Sequence, residues 1–121
     1  MQTQNFQFDD VFGPNVNTPT IYHKIARPIT KAALQGFNGS VFMYGQTTSG
    51  KTYTMLGTQE VPGILPCAVR DIFTGIKNDP EHNYTVSVSY LEIYNEQIND
   101  LLAPSSQNLK IKDDPKFGVD V

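Results

Sequence analysis

The spacing of apolar residues changes several times along the chain, and each change predicts an element. Phe6 and Phe8 alternate with polar neighbours, which predicts a short strand, and Asp9 to Asn15 then form a loop around Gly13-Pro14. Ile21, Tyr22, Ile25, Ile29, Ala32 and Ala33 recur at helical spacing behind Thr18-Pro19, read as N-cap and first helical residue. A helix over about 19 to 35 follows, bent at Pro28, whose ring carries no N–H. Gly36 stops it, Asn38-Gly39 turns the chain, and Val41 to Tyr44 read as a buried strand.

A first helical turn opens at Gly50-Lys51-Thr52 and is interrupted from Gly57 to Gly63; Pro66 restarts a helix through Val69, Ile72, Phe73 and Ile76. That helix ends near Asn78-Asp79-Pro80. Tyr84, Val86, Val88 and Tyr90 alternate with polar residues, and Leu91 and Ile93 extend the run into a long central strand. Ile98, Leu101 and Leu102 predict a short helical turn, and residues from about 109 to 121 a terminal hairpin. Strands alternating with helices define an α/β protein.

Composition narrows the class. With 121 residues and 39% hydrophobic content the protein reads as one globular domain or part of one, without repeats or an internal linker. No run approaches the roughly 18 apolar residues of a spanning helix, and Met1 to Asn5 lack signal character, so a soluble, cytoplasmic protein is expected. Cys67 is the only cysteine, which excludes an internal disulfide and a cysteine-rich metal cage; it reads as a small packing residue. The net charge of −3 argues against a globally basic nucleic-acid binder.

Gly45-Gln46-Thr47-Thr48-Ser49-Gly50-Lys51-Thr52 carries the chemistry. Glycine, four residues, glycine, lysine and serine or threonine is the spacing of a phosphate-binding loop, here following an apolar run and opening a helix. The glycines let successive amides close on phosphate oxygens at a helix start. Lys51 would meet the β- and γ-phosphates and Thr52 would offer its hydroxyl to Mg²⁺. Such sites also use an aspartate that ends an apolar strand. No such run is evident, since Asp100 precedes Leu101-Leu102 and Ala103-Pro104 follow, so the catalytic site is expected to be incomplete within these residues.

Beyond the loop, the sequence resembles the kinesin motor family nearly end to end. The residues that carry this are Phe6 to Phe12, Gly36 to Thr47, Lys51 to Met55, Gly63 to Pro66, Leu91 to Glu96 and Asp100 to Leu102, in the family's order. The resemblance implies a phosphate-loop mixed sheet flanked by helices, present here only in part, so that residues 1–121 form part of a single motor domain. It implies an ATP-binding portion of a microtubule-based motor ATPase, in the cytoplasm on the cytoskeleton. Its cofactors would be ATP or ADP with Mg²⁺, its partner tubulin, and its oligomeric state would be set by other segments. Residues 45–52 would hold the nucleotide, and Tyr53 falls where kinesins pack on adenine; filling the seam between helix and sheet is its plainer role. The interruption from Gly57 to Gly63 resembles the loop that splits the family's second helix, in a short version. The family's switches, its main filament-facing helix and its neck have no counterpart, so this stretch alone is expected to hydrolyse ATP negligibly.

Weaker signals are read against simpler explanations. Lys110, Lys112 and Lys116 cluster on the terminal hairpin, which in kinesins faces the filament, but Asp113 and Asp114 interleave with them as in a solvated mixed-charge tip. Glu92 and Glu96 fall where a strand meets a turn and read as structural, and His23 and His82 lack companions at metal-ligand spacing. Two alternatives remain open from the residues: an unrelated phosphate-loop NTPase or kinase, and a non-catalytic truncated protein that binds nucleotide or a partner.

Overall fold

The computed structural model describes residues 3–116 and 118–120, so Met1, Gln2, Phe117 and Val121 lie outside the described residues. The protein separates into two compact units, residues 1–83 and 84–121.

The first unit is helical. Its opening helix α1 (Thr18–Ile21) runs into a π turn (Tyr22–Ala26) and then α2 (Arg27–Leu34); α3 is Lys51–Leu56 and α4 is Ile64–Lys77. The N-cap is Asn17, one residue before the expected Thr18, because the Asn17 carboxamide oxygen accepts from the Thr20 amide at 3.0 Å and from its hydroxyl at 2.7 Å. The helix carries a π turn, Tyr22–Ala26, just before Pro28. The Arg27 N–H donates to the Tyr22 carbonyl, the five-residue step of a π turn, directly before Pro28, which has no N–H to give. Gly36 N–H donates to Ala33 O and Phe37 N–H to Ala32 O, which closes α2 in a Schellman motif.

Tyr22 and Ala26 of the π turn meet Ile64 and Cys67 of α4 in the buried core, with Ile21, Val41, Met43, Met55 and Ala68 packed around them. Cys67 is thus the small packing residue that the sequence suggests. Val41 to Tyr44 depart from the expected buried strand. Val41 and Met43 face the core, whereas Phe42 and Tyr44 are 87% and 102% exposed and no strand pairs with them among the described residues. Only one side of this segment is covered by a layer of helix, which gives alternation instead of full burial. Phe6 and Phe8 likewise form no strand and are exposed.

Two antiparallel hairpins make up the regular structure of the second unit. Strands β1 (Leu91–Tyr94) and β2 (Gln97–Asp100) pair with Ile93 opposite Ile98, and β3 (Lys112–Asp114) pairs with β4 (Gly118–Asp120). The segment expected as a helical turn at Ile98 to Leu102 therefore begins as a strand. Asn95 and Glu96 both take positive φ (48° and 62°), the geometry of a two-residue hairpin turn, and this folds Gln97–Asp100 back on β1. Ile98 is buried, while its cross-strand partner Ile93 and the following Leu101 and Leu102 are exposed. The long central strand shortens to β1: the ladder with β2 runs from Leu91 to Tyr94, with one further backbone bond from Leu101 N–H to Tyr90 O at 2.8 Å. The terminal hairpin forms within the expected range. In place of the mixed sheet that the resemblance implies, the strand pairing among the described residues consists of these two separate antiparallel hairpins. Among the same residues no helix is long and apolar enough to cross a membrane.

Candidate functional site

Residues 45–52 link the Val41 to Tyr44 segment to α3. Gly45 is a glycine because a Cβ there would lie 2.5 Å from Ser49 Oγ and 3.2 Å from its Cβ, so the loop closes on itself too tightly for a side chain. Gly50 caps α3 at φ 91°, ψ 13°, a left-handed conformation costly for other residues. Between them Thr48 is also left-handed (φ 68°), and the Ser49 amide donates to Gln46 O at 3.2 Å. α3 then starts with the Thr54 amide donating to Gly50 O at 2.8 Å.

Lys51 laces the loop. Its ammonium donates to Gly45 O and to Gln46 O, each at 2.7 Å. An ammonium has three N–H donors, so one remains for an incoming anion. The amides of Gly50, Lys51 and Thr52 make no hydrogen bond among the described residues, which leaves a row of donors at the loop's end. Thr52 is exposed with its hydroxyl free of intramolecular bonds among the described residues, and Tyr53 is 51% exposed. The tight loop, the unbonded amides and the third ammonium donor match what a polyphosphate requires, and an open hydroxyl suits a hard cation.

Asp100 serves a different purpose. Its carboxylate accepts from the Leu102 and Ala103 amides at 2.8 and 3.3 Å and so shapes the bend after β2. Glu92 accepts from Asn99 across the β1–β2 pair at 3.3 Å, in keeping with a structural role. Lys110 and Lys112 are exposed on the approach to and within β3, and Lys116 lies in the turn that follows. His23 stands edge-on to the Tyr22 ring, centroids 5.7 Å apart, while His82 contacts Asp79 at 2.9 Å. Among the described residues no group of three or more acidic, cysteine or histidine residues is placed to hold a metal.

One cluster has no precedent in the pattern of the sequence. Asp71 of α4 accepts from the Arg27 guanidinium at 2.8 Å and from the Tyr22 hydroxyl at 3.0 Å, tying the π turn to α4. Burial pushes the Asp71 carboxyl up, but the Arg27 and Tyr22 hydrogen bonds and nearby positive charge outweigh it and hold the group below the ordinary carboxylate value. Burial also raises the Tyr22 phenol. Nothing in residue spacing pairs Arg27 with Asp71, 44 positions apart.

A glycine-bounded loop laced by its lysine and closing on a helix defines a phosphate-loop protein. The kinesin motor domain profile matches residues 1–121, and the protein belongs to that family. It is similar to the kinesin-like protein KIN-7D, mitochondrial, of Arabidopsis thaliana, 54% identical over 109 residues, covering 90% of this chain and 10% of that protein. The kinesin-like protein KIN-7K, chloroplastic, of Oryza sativa subsp. japonica is 51% identical over 109 residues, again 90% of this chain and 10% of that protein. Among solved structures, that of a fast kinesin aligns with a TM-score of 0.90 and 42% identity over 95% of this chain and 34% of that one. The sequence thus spans about a tenth of the length of these curated relatives. Family membership removes the reading as an unrelated phosphate-loop enzyme.

Proposed function

We propose that residues 1–121 are part of one motor domain and supply the nucleotide-phosphate site of a microtubule-based motor ATPase that works on the cytoskeleton in the cytoplasm. The observation that carries this is Lys51, whose ammonium is held by two loop carbonyls with one donor left over, beside loop-end amides that make no hydrogen bond among the described residues. Gly45 to Thr52 would hold the β- and γ-phosphates of ATP or ADP, Thr52 would ligate Mg²⁺, and Tyr53 would lie against adenine. Mg²⁺, when bound, supplies neutralisation of charge on the terminal phosphates. The protein's own residues orient the phosphates and offer fixed donors to their oxygens, and such donors need no reorganisation when negative charge builds up.

Turnover is assigned to residues beyond this stretch. Among the described residues, the Asp100 carboxylate is engaged in the turn after β2. Lys110, Lys112 and Lys116 are proposed as contacts to acidic tubulin, weaker than the loop assignment because Asp113 shares their hairpin. The test is a titration of the full-length protein with a fluorescent ADP analogue in Mg²⁺. Lys51→Ala should abolish saturable binding, and Thr52→Ala should remove its Mg²⁺ dependence. Unchanged affinity in Lys51→Ala contradicts the assignment. A steady-state phosphate-release rate from residues 1–121 equal to that of the full-length motor would contradict the assignment of turnover elsewhere.

A further inference from the structure

An asparagine carboxamide lies within reach of the next residue's backbone nitrogen, and a glycine at that next position removes the Cβ that hinders the approach. The protein holds nine asparagines, and only Asn38 precedes a glycine. Asn38 and Gly39 follow the Schellman cap of α2 in a segment without regular structure, both exposed. Among the described residues neither the Asn38 carboxamide nor the Gly39 amide makes a hydrogen bond, so no such bond has to break before the two groups can react. By contrast Asn17 caps α1, Asn95 is fixed in the β1–β2 turn, and Asn99 bonds Glu92 and the Asn108 amide.

We propose that Asn38 is a site of spontaneous deamidation, a slow chemical modification placed directly before the segment that leads into the phosphate loop. The Gly39 nitrogen attacks the carbonyl carbon of the Asn38 carboxamide. A new bond between that carbon and the Gly39 nitrogen closes a succinimide, and the bond from the same carbon to the carboxamide nitrogen breaks. The displaced nitrogen takes the Gly39 amide proton and leaves as ammonia. Water then opens the ring at either carbonyl, giving aspartate or isoaspartate at position 38. No oxidant or reductant is involved.

The fold makes the isoaspartyl product consequential. Gly39 lies so close to α2 that a Cβ would collide with Ile29 Cγ2, and Phe37 N–H closes the α2 cap on Ala32 O. Isoaspartate inserts a methylene into the backbone between these two anchors and adds a negative charge. Val41 and Met43, two and four residues further on, would lose their seating on the Tyr22–Ile64 core. The modified protein therefore melts at a lower temperature.

The experiment ages the full-length protein in buffer at neutral and mildly alkaline pH. Tryptic peptide Ala32–Lys51, in which Asn38 is the sole asparagine, is then followed by mass and by carboxyl methylation specific for isoaspartate. Asn38 converts before any of the other eight asparagines, faster at the higher pH, with isoaspartate among the products; Asn38→Ser abolishes the signal and keeps the melting temperature of unaged protein after the same incubation. The proposal is overturned if other asparagines convert while Asn38 stays intact. It is equally overturned if Asn38 persists in the folded protein but converts in urea. Both readouts are independent of nucleotide, so a failed phosphate-loop assignment would leave this result standing.

Discussion

The two units of the protein satisfy their apolar residues differently. In residues 1–83 helices meet helices: Tyr22 and Ala26 are 1% exposed against Ile64 and Cys67. In residues 84–121 the regular structure is two hairpins, and Ile98 is the one buried apolar residue among the described residues, while Val88 and Ile93 are 77% and 73% exposed. Helices complete their backbone hydrogen bonds within one segment and need only a neighbour for one face. A strand takes its backbone hydrogen bonds from a neighbouring strand, and among the described residues the ladder on this segment begins only at Leu91. The helical part builds a small buried cluster from its own elements, although it also exposes Phe6, Phe8, Phe37, Phe42 and Tyr44, whereas the strand-rich part buries Ile98.

Several substitutions can break or sharpen this contrast. Gly63→Ala should have the largest effect. Its Cβ would meet Met55 O, the Leu56 carbonyl carbon and Gly57 N, all backbone atoms that cannot swing aside. A loss of about 3 kcal/mol or more is expected in thermal or urea unfolding, the scale of severe packing defects. Lys51→Ala should reduce nucleotide affinity by about 2–3 kcal/mol, the worth of a charged hydrogen bond, with little change in melting temperature. The direct reading is a binding isotherm.

Asp71→Asn should cost about 1 kcal/mol, a modest figure because the Arg27 side chain is 40% exposed and partly screened by water. Its pH signature is more specific than its size. The folded-state pKa of Asp71 lies below the ordinary value, so its contribution is present above the unfolded carboxylate pKa and is lost as pH falls through the folded one. The variant should lack this acid-side loss. At the alkaline end the raised Tyr22 pKa predicts a contribution intact below the unfolded phenol value and lost as pH rises through the folded value, a limb that Tyr22→Phe should remove. Unfolding curves across pH check both. Smallest is Val88→Ser, expected within about 0.5 kcal/mol in residues 1–121 because the residue is exposed, and larger in the full-length protein if further strands cover it.

Legibility in the sequence follows the same division. The helix carrying Ile21 to Ala33, the helix through Val69 to Ile76 and the phosphate loop are readable because each is written in residues close in sequence. The alternation from Tyr84 to Ile93 overstates its strand: alternation shows that a segment can pair, and pairing itself depends on distant residues. Apolar positions at 98, 101 and 102 fit helical spacing; the signal that overrides it is a turn at Asn95-Glu96, a pair without glycine. The π turn is visible only as Pro28, which locates the disturbance without its form. Within the site, the glycines and Lys51 are evident from spacing, but the lysine's two carbonyl contacts emerge only in three dimensions. The Arg27–Asp71–Tyr22 tie joins residues 44 and 49 positions apart, which no local pattern encodes.

Amide hydrogen exchange on the full-length protein, with and without Mg²⁺ and ADP, measures the loop assignment at its own atoms. Saturating nucleotide should slow exchange across Gly45 to Thr52, with Gly50, Lys51 and Thr52 slowed most, and Lys51→Ala should erase the change. Saturable binding that leaves those amides exchanging at their original rates would contradict the account.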